Sequence, residues 1–346
     1  MGDDPVRRDG CDTQAAGPLA SVPNAATRSF LRSAAALGAS LILPTVPALA
    51  QASDADRHAP DQAIGVLFPD LGAPYRRIFE EIVAGIEQQA HQRVRAWPVP
   101  TALPPAELAL AVKRSGARIL VALGRQGLKA AAALDGSMQV VIGGVSSVPD
   151  GERQFGVCLT PDPALLFAQL KALLPATRRV LLIHHPQHNA WLLRLAREAA
   201  AAQALELQVS EARELAASAR LYEAAFAGAD RKHDAVWLPT DPATLDEGTI
   251  MPIVLRESWN RGVPVFSSGL LHVNKGALFS LYPNNAELGR TLGTLASALL
   301  EGKAAARGVT PLRDVYAALN IRTAKHLGIT VDARLRAAFQ TIFPSA

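Results

Sequence analysis

The chain is poor in cysteine and in aromatic residues. It holds two cysteines among 346 residues, and aromatic residues make up 5% of its composition. Cys11 lies in the leading segment before Ala50, so the rest of the chain has only Cys158 and forms no internal disulfide. Cys158 ends an apolar segment, which predicts a buried thiol. With so few aromatic side chains, the core must be built mainly from alanine, leucine and valine.

Motifs of catalysis and cofactor binding are also missing. The chain has no Gly-x-Ser-x-Gly elbow, Gly-x-Gly-x-x-Gly fingerprint, P-loop, His-Glu-x-x-His or Cys-x-x-Cys. Its basic residues are scattered, without the basic runs and interleaved aromatics of a nucleic-acid footprint. We therefore expect neither an enzyme nor a nucleic-acid-binding protein, and we expect no cofactor.

The amino-terminal segment has the features of a removable export signal. Arg28 and Arg32 precede an apolar stretch over 33–46, and Ala48-Leu49-Ala50 offers the small residues that a signal peptidase accepts. The stretch is shorter than the ~20 apolar residues of a membrane-spanning helix. The sequence thus predicts a signal segment over 1–50, cleavage near Ala50 and a periplasmic mature protein. The alternative is a buried helix of a cytoplasmic domain.

After this segment, short apolar runs alternate with helical patterns. Runs such as Ile64–Phe68, Ile119–Leu123 and Val180–Ile183 are apolar throughout and do not alternate with polar residues. Strands of this kind have both faces covered, which is typical of parallel β-α-β units. The sequence predicts an α/β fold with two Rossmann-like, doubly wound parallel-sheet lobes.

The rhythm of strands and helices is interrupted near 143–156, 281–285 and 302–311. Three interruptions between two sheets indicate a chain that crosses three times between the lobes, through a three-segment hinge. Ligands of open α/β sheets bind beyond the carboxyl ends of the strands, so two facing lobes would share one cleft. The expected lobes are residues 51–155 with 283–310 at the amino-terminal side and 156–282 with 311–346 at the carboxy-terminal side.

Polar side chains follow several of the predicted strands. Arg125 lies where a strand ends and a helix begins, a position that would clamp a carboxylate or phosphate; a solvated loop arginine is the alternative. Asp70 and Asp241 follow two other strands, where each either binds a ligand amine or caps the next helix. Ser146 and Ser147 either bind a solute or form an ordinary turn. The candidate ligand-binding residues are Asp70, Tyr75, Arg125, Gln126, Ser146, Ser147, His184, His185, Thr240, Asp241, Ser267 and Ser268.

One group of residues suggests a metal. His184, His185 and His188 are close in sequence, Pro186 bends the chain between them, and imidazole is a good ligand for Zn²⁺. No aspartate, glutamate or cysteine lies close enough in sequence to complete the coordination. We therefore favour one imidazole that lines the cleft and others that are solvated, and we assign no metal site.

Five segments in the second half of the chain form a recognisable set. The most specific runs from Leu319 to Ile329 and contains the pattern Asn-x-x-Thr-Ala-Lys-x-Leu-Gly-Ile. The set resembles the substrate-binding proteins of ABC importers, in the branch related to type I periplasmic binding proteins and associated with aromatic amino acids. The segments are Val180 to Pro186, Ala235 to Asp241, Gly262 to Ser268, Glu287 to Arg290 and Leu319 to Ile329.

The resemblance implies a monomer with a type I-like fold that captures a small polar or zwitterionic solute and delivers it to an ABC permease in the inner membrane. A sensory module for a membrane receptor or kinase would have the same cleft and stays open. Metal or metallophore binding through the three histidines is a third hypothesis. The chain departs from the family at Gly124-Arg125-Gln126, at His184-His185 and at Asn285-Ala286. The resemblance therefore implies the fold but not the ligand's identity.

Overall fold

The chain folds as alternating strands and helices, as its apolar pattern predicts. The computed structural model describes residues 63–73, 75–100, 104–134, 136, 138–146, 155–303 and 308–344, without the side chains of 105 and 188–190. The predicted signal segment over 1–50 lies outside these residues. Within the described ranges, no helix has both the length and the apolar character needed to cross a bilayer.

The described strands and helices are numbered in chain order. The strands are β1 (Ile64–Pro69), β2 (Arg95–Val99), β3 (Ile119–Leu123), β4 (Gln139–Val145), β5 (Phe155–Pro161), β6 (Arg179–His184), β7 (Glu206–Glu211), β8 (Asp234–Leu238), β9 (Val265–Ser267), β10 (Phe279–Pro283), β11 (Gly308–Leu312), β12 (Val315–Asn320) and β13 (Thr341–Phe343). The helices are α1 (Tyr75–Ala90), α2 (Pro105–Ser115), α3 (Gly124–Ala132), α4 (Pro163–Leu173), α5 (Pro186–Ala202), α6 (Leu215–Ala227), α7 (Ile250–Arg261), α8 (Leu270–Lys275), α9 (Asn285–Leu300), α10 (Ile321–His326) and α11 (Ala333–Ala337).

These strands form two sheets. The first sheet has six strands in the order β2-β1-β3-β4-β5-β11, and every neighbouring pair is parallel. The second has seven strands in the order β7-β6-β8-β9-β10-β12-β13, with one antiparallel pair, β10 and β12. Every residue of β3 and of β8 is buried, so these strands have helices or loops on both faces. The predicted pair of parallel-sheet lobes is confirmed.

The chain passes from one sheet to the other three times. The first passage follows β5, the second leads from β10 into α9, which packs against α1 of the first sheet, and the third lies between β11 and β12. One detail differs from the expected lobe division: β5 belongs to the first sheet, because its backbone pairs with β4 and β11. The other lobe boundaries stay a prediction.

Helices α1 and α9 approach each other closely at glycine positions. A Cβ on Gly85 would lie 2.2 Å from the carbonyl oxygen of Ala286, and one on Gly289 would lie 2.1 Å from that of Ile82. Only glycine therefore allows this separation between the two helices. The contact holds the returning segment of the chain on the first sheet.

Cys158 lies in β5 and is fully buried. Burial raises the pKa of its thiol to about 11, because the thiolate would lose its hydration. The prediction of a buried structural thiol is confirmed.

Candidate functional site

The strand-end loops of the first sheet carry several of the predicted residues. Asp70 follows β1, and its carboxylate pairs with the guanidinium of Arg76 at 2.9 Å. Its main-chain N–H donates to the carbonyl of Val99 at 3.0 Å. Tyr75, the first residue of α1, is 58% exposed. The carboxylate of Asp70 is thus partly neutralised by Arg76.

Arg125 lies in the first turn of α3. The helix begins directly after β3, at Gly124 with φ +66°, and Leu123 at its N-cap offers no capping side chain. The first amides of the helix therefore lack a side-chain acceptor, and their dipole favours an anion. Arg125 is exposed and has no acidic partner among the described residues. Gln126, beside it, is half-buried.

The next strand of this sheet ends at the predicted serine pair. Ser146 is exposed, and its carbonyl accepts a hydrogen bond from the hydroxyl of Thr160 at 3.1 Å. Ser147 lies outside the described residues, so the structure gives the position of only one of the two predicted serines, Ser146. The Ser146 hydroxyl stays a candidate ligand contact.

His184 and His185 end β6 and open α5. His184 is fully buried, and its Nδ1 lies 3.1 Å from the carbonyl of His185. A carbonyl only accepts, so Nδ1 carries the proton and Nε2 of a neutral ring is a bare acceptor. His185 caps α5, because its Nδ1 accepts from the N–H of Gln187 at 3.3 Å.

The hypothesis of a histidine metal site has no support in the geometry of these two rings. Each Nδ1 is engaged with the main chain. In the part of the chain that the structure describes, no group of three potential metal ligands comes together. The side chain of His188 lies outside that part.

Asp241 follows β8 and joins two loops of the second sheet. Its side chain is buried, with 2% exposure. One carboxylate oxygen accepts from the N–H of His185 at 2.8 Å, and the other accepts from the N–H of Ala243 at 3.2 Å. Asp241 thus connects the loop after β8 to the start of α5. Thr240, its neighbour, is exposed.

Ser267 and Ser268 are buried and hydrogen-bonded within the protein. The Ser267 hydroxyl contacts His272 Nδ1 at 2.6 Å and accepts from the N–H of Gly269 at 3.0 Å. The Ser268 hydroxyl accepts from the indole N–H of Trp237 at 3.0 Å. Both serines support the loop after β9, and burial lowers the pKa of His272. Whether either serine also touches a solute stays a prediction.

Several buried polar atoms have no hydrogen-bond partner within the described part of the chain. They are His184 Nε2, Trp191 Nε1, the Tyr222 hydroxyl, Thr244 Oγ1 and Ser280 Oγ. Burial raises the pKa of Tyr222 strongly, and the charge of Asp241 adds to the effect, so the phenol is close enough to feel that carboxylate. Tyr222 is not among the predicted residues, because a hydroxyl inside a helical pattern has no sequence signal of its own.

Trp191 connects the two sheets. It lies on α5 and packs against the core of the second sheet, and it also contacts the cluster of Ile142, Val145 and Cys158 from the first sheet. The start of α5, where the N–H of His185 donates to Asp241, therefore belongs to the helix that reaches the first sheet.

Comparison with known proteins gives the following matches. Residues 167–342 match the family described as ABC transporter substrate binding protein. The ABC domain in complex with L-Trp from Streptococcus pneumonia is 17% identical, with a TM-score of 0.52, over 81% of this chain and 99% of that chain. The ligand-free, open structure of CD0873 from Clostridium difficile is 16% identical, with a TM-score of 0.59, over 80% and 98%. At this identity the two structures show the fold alone. Among curated proteins no match is found.

Proposed function

Because the chain belongs to the ABC transporter substrate-binding protein family, we propose that it works outside the cytoplasm as a solute receptor. It captures a small polar or zwitterionic solute between its two sheets and delivers it to an ABC importer. Proteins of two hinged lobes bind by closing on the ligand, which shifts an open–closed equilibrium. The family match, on a fold of two mainly parallel sheets joined by three chain segments, is the observation that carries this proposal.

The first sheet supplies the positive end of the proposed site. Arg125 is exposed at a helix start that lacks a side-chain cap, so a carboxylate there gains both the guanidinium and the helix amides. Ser146 and Tyr75 are exposed at neighbouring strand ends and offer hydroxyls. An acidic group of the solute would bind here.

The second sheet supplies acceptors. Asp241 places a buried carboxyl group at the loop after β8, and His184 Nε2 is a buried acceptor without a donor among the described residues. A solute ammonium group is a donor of the right charge for this end. A zwitterion with a carboxylate and an amine, such as an amino acid, matches both ends. The L-Trp bound to the pneumococcal domain is of this class.

Calorimetric titration with L-amino acids, including L-Trp, and with their decarboxylated amines tests the proposal. Arg125→Gln should weaken a carboxylate-bearing solute by about tenfold or more, the range of a lost charge-assisted hydrogen bond. It should leave the matching amine unchanged. Lys129→Gln is the matched control, because Lys129 is an exposed cation one turn later on α3. Equal effects of the two substitutions would contradict the clamp.

Delivery of the solute to an importer is tested by a separate uptake measurement. Uptake of the bound solute should fall when the gene is deleted and return with the wild-type protein but not with the Arg125→Gln variant. If the protein binds a solute tightly but deletion of its gene leaves uptake of that solute unchanged, the sensory alternative is favoured. A chain that no solute stabilises would contradict both functions.

A further inference from the structure

A hollow of about 360 Å³ lies on the second lobe, away from the residues discussed so far. The ends of α7 and α8 and the start of α10 form its wall. Helices α7 and α8 end just before β9 and β10 begin, and Leu319 of β12 pairs with Phe279 at the start of β10. The hollow is therefore at the amino ends of the parallel strands, the edge opposite to the proposed solute site.

A second hollow of about 390 Å³ adjoins the first and shares His326 and Leu327 with it. It is bordered by the segments that precede β6, β8 and β9, which is again the amino edge of the sheet. Together the two hollows, named here the basic edge, have the size of ordinary small-molecule sites.

The lining of the basic edge has charge of one sign. Its described residues include arginine, lysine and histidine but no aspartate or glutamate. The lysine and arginine side chains are Arg231, Lys232, Arg256, Lys275 and Arg322.

Some of these charges are already neutralised from outside the hollow. Lys275 pairs with Glu247 at 2.8 Å, and Arg256 pairs with Glu257 at 3.3 Å. Arg322, Arg231 and Lys232 have no acidic partner among the described residues. The basic edge thus keeps an excess of positive charge.

An aromatic stack holds the Arg322 guanidinium in place. The rings of Trp259 and His326 are stacked at 3.8 Å with an angle of 7° between their planes. His326 Nε2–H donates to the carbonyl of Trp259 at 2.8 Å, and the Arg322 guanidinium lies 5.2 Å from the Trp259 ring centre. A cation held over an indole is ordered before any ligand arrives, which lowers the entropy cost of binding.

The backbone under this stack is also braced. Asn320 donates to the carbonyl of Val273 at 2.9 Å and accepts from the N–H of Arg322 at 3.1 Å. The Thr323 hydroxyl donates to the carbonyl of Gly276 at 2.8 Å. These contacts fasten the end of α8 to the start of α10, so the wall that carries Arg322 has a fixed shape.

We propose that the basic edge binds a phosphate group. Arginine presents paired N–H donors that match phosphate oxygens, and several converging cations suit a group that carries up to two charges. The phosphate belongs either to a soluble molecule or to the headgroup of an anionic phospholipid. Because the basic edge lies opposite to the proposed solute site, both sites can be filled together.

Calorimetry with inorganic pyrophosphate and flotation with vesicles test the proposal and separate the two sources. One vesicle set contains phosphatidylglycerol in phosphatidylcholine, and the other contains phosphatidylcholine alone. We expect saturable binding of pyrophosphate, or retention on the phosphatidylglycerol vesicles only. Arg322→Gln should weaken this binding by about tenfold or more.

Arg114→Gln is the matched control, because it removes one exposed positive charge from α2 of the first lobe. It should change the binding less than about twofold, the effect of net charge alone. Lys232→Gln, in the adjoining hollow, should weaken binding as Arg322→Gln does. Equal losses for Arg114→Gln and Arg322→Gln would overturn the proposal. So would the absence of both pyrophosphate and vesicle binding in the wild-type protein.

Discussion

The close contact between α1 and α9 makes Gly289→Ala a sharp test of the packing. The new methyl group would lie 2.1 Å from the carbonyl oxygen of Ile82, where ordinary contacts begin near 3.4 Å. The two helices must therefore separate by about 1 Å, and cores are too densely packed to absorb such a shift. Leu288, Leu292, Ile82 and Ile86 are nearly or fully buried in this interface and would lose contacts.

Two effects of opposite sign set the magnitude. Overpacking of a core costs about 1–3 kcal/mol and sometimes more. Alanine favours a helix interior over glycine by about 1 kcal/mol. The clashing atoms belong to the backbone of both helices, since a Cβ on Gly85 would also meet a carbonyl oxygen of α9. A backbone cannot move aside as the end of a side chain can. We therefore expect the cost of overpacking to exceed its usual range. After the gain in helix propensity is subtracted, the net loss in the free energy of unfolding is about 2–3 kcal/mol.

Urea denaturation followed by circular dichroism measures this loss. Gly228→Ala is the control, because the nearest atom to its new Cβ would be 3.7 Å away, an ordinary contact. That variant should stay within about 0.5 kcal/mol of the wild type. If Gly289→Ala is instead more stable by about 1 kcal/mol, helix propensity alone is acting and the contact described here does not exist.

Two further predictions concern buried titrating groups. Burial raises the pKa of Cys158 to about 11, so a thiol reagent should modify it only as fast as the protein unfolds; rapid reaction of the folded protein would contradict this. Burial lowers the pKa of His272 from its ordinary 6.5, so the unfolded chain takes up the proton first as pH falls. As the pH falls below about 6.5, the free energy of unfolding measured in urea titrations should therefore decrease, and it should decrease less for His272→Asn. Identical pH dependence of the two proteins would disprove the assignment.

The sequence predicted the architecture well because burial on both faces of a strand leaves a continuous apolar run. Strands β3 and β8 were recognisable from such runs and are buried throughout. The lobe boundary near β5 was less accurate, because a strand's apolar pattern does not say which sheet it joins. Only the pairing of β5 with β4 and β11 decides that.

In the candidate site, too, the sequence predicted positions but not contacts. Asp241, Ser267 and Ser268 were selected by their position after a strand, and the structure places them at the ends of β8 and β9, but position alone did not predict the hydrogen bonds of their side chains. Asp241 accepts from two main-chain N–H groups, and each serine hydroxyl is engaged inside the protein. A local pattern cannot tell a ligand contact from a loop support, since both need a polar group at a strand end.

The sequence by itself determined the fold class, the family and the set of strand-end loops, because these depend on apolar periodicity and on short local motifs. Only the tertiary structure decided which polar atoms stay unpartnered and which charges meet. Trp259, Lys275 and Arg322 come from three helices and converge at one edge of the second sheet. Their meeting depends on the register of β10 with β12, a long-range pairing that no local stretch of the chain encodes.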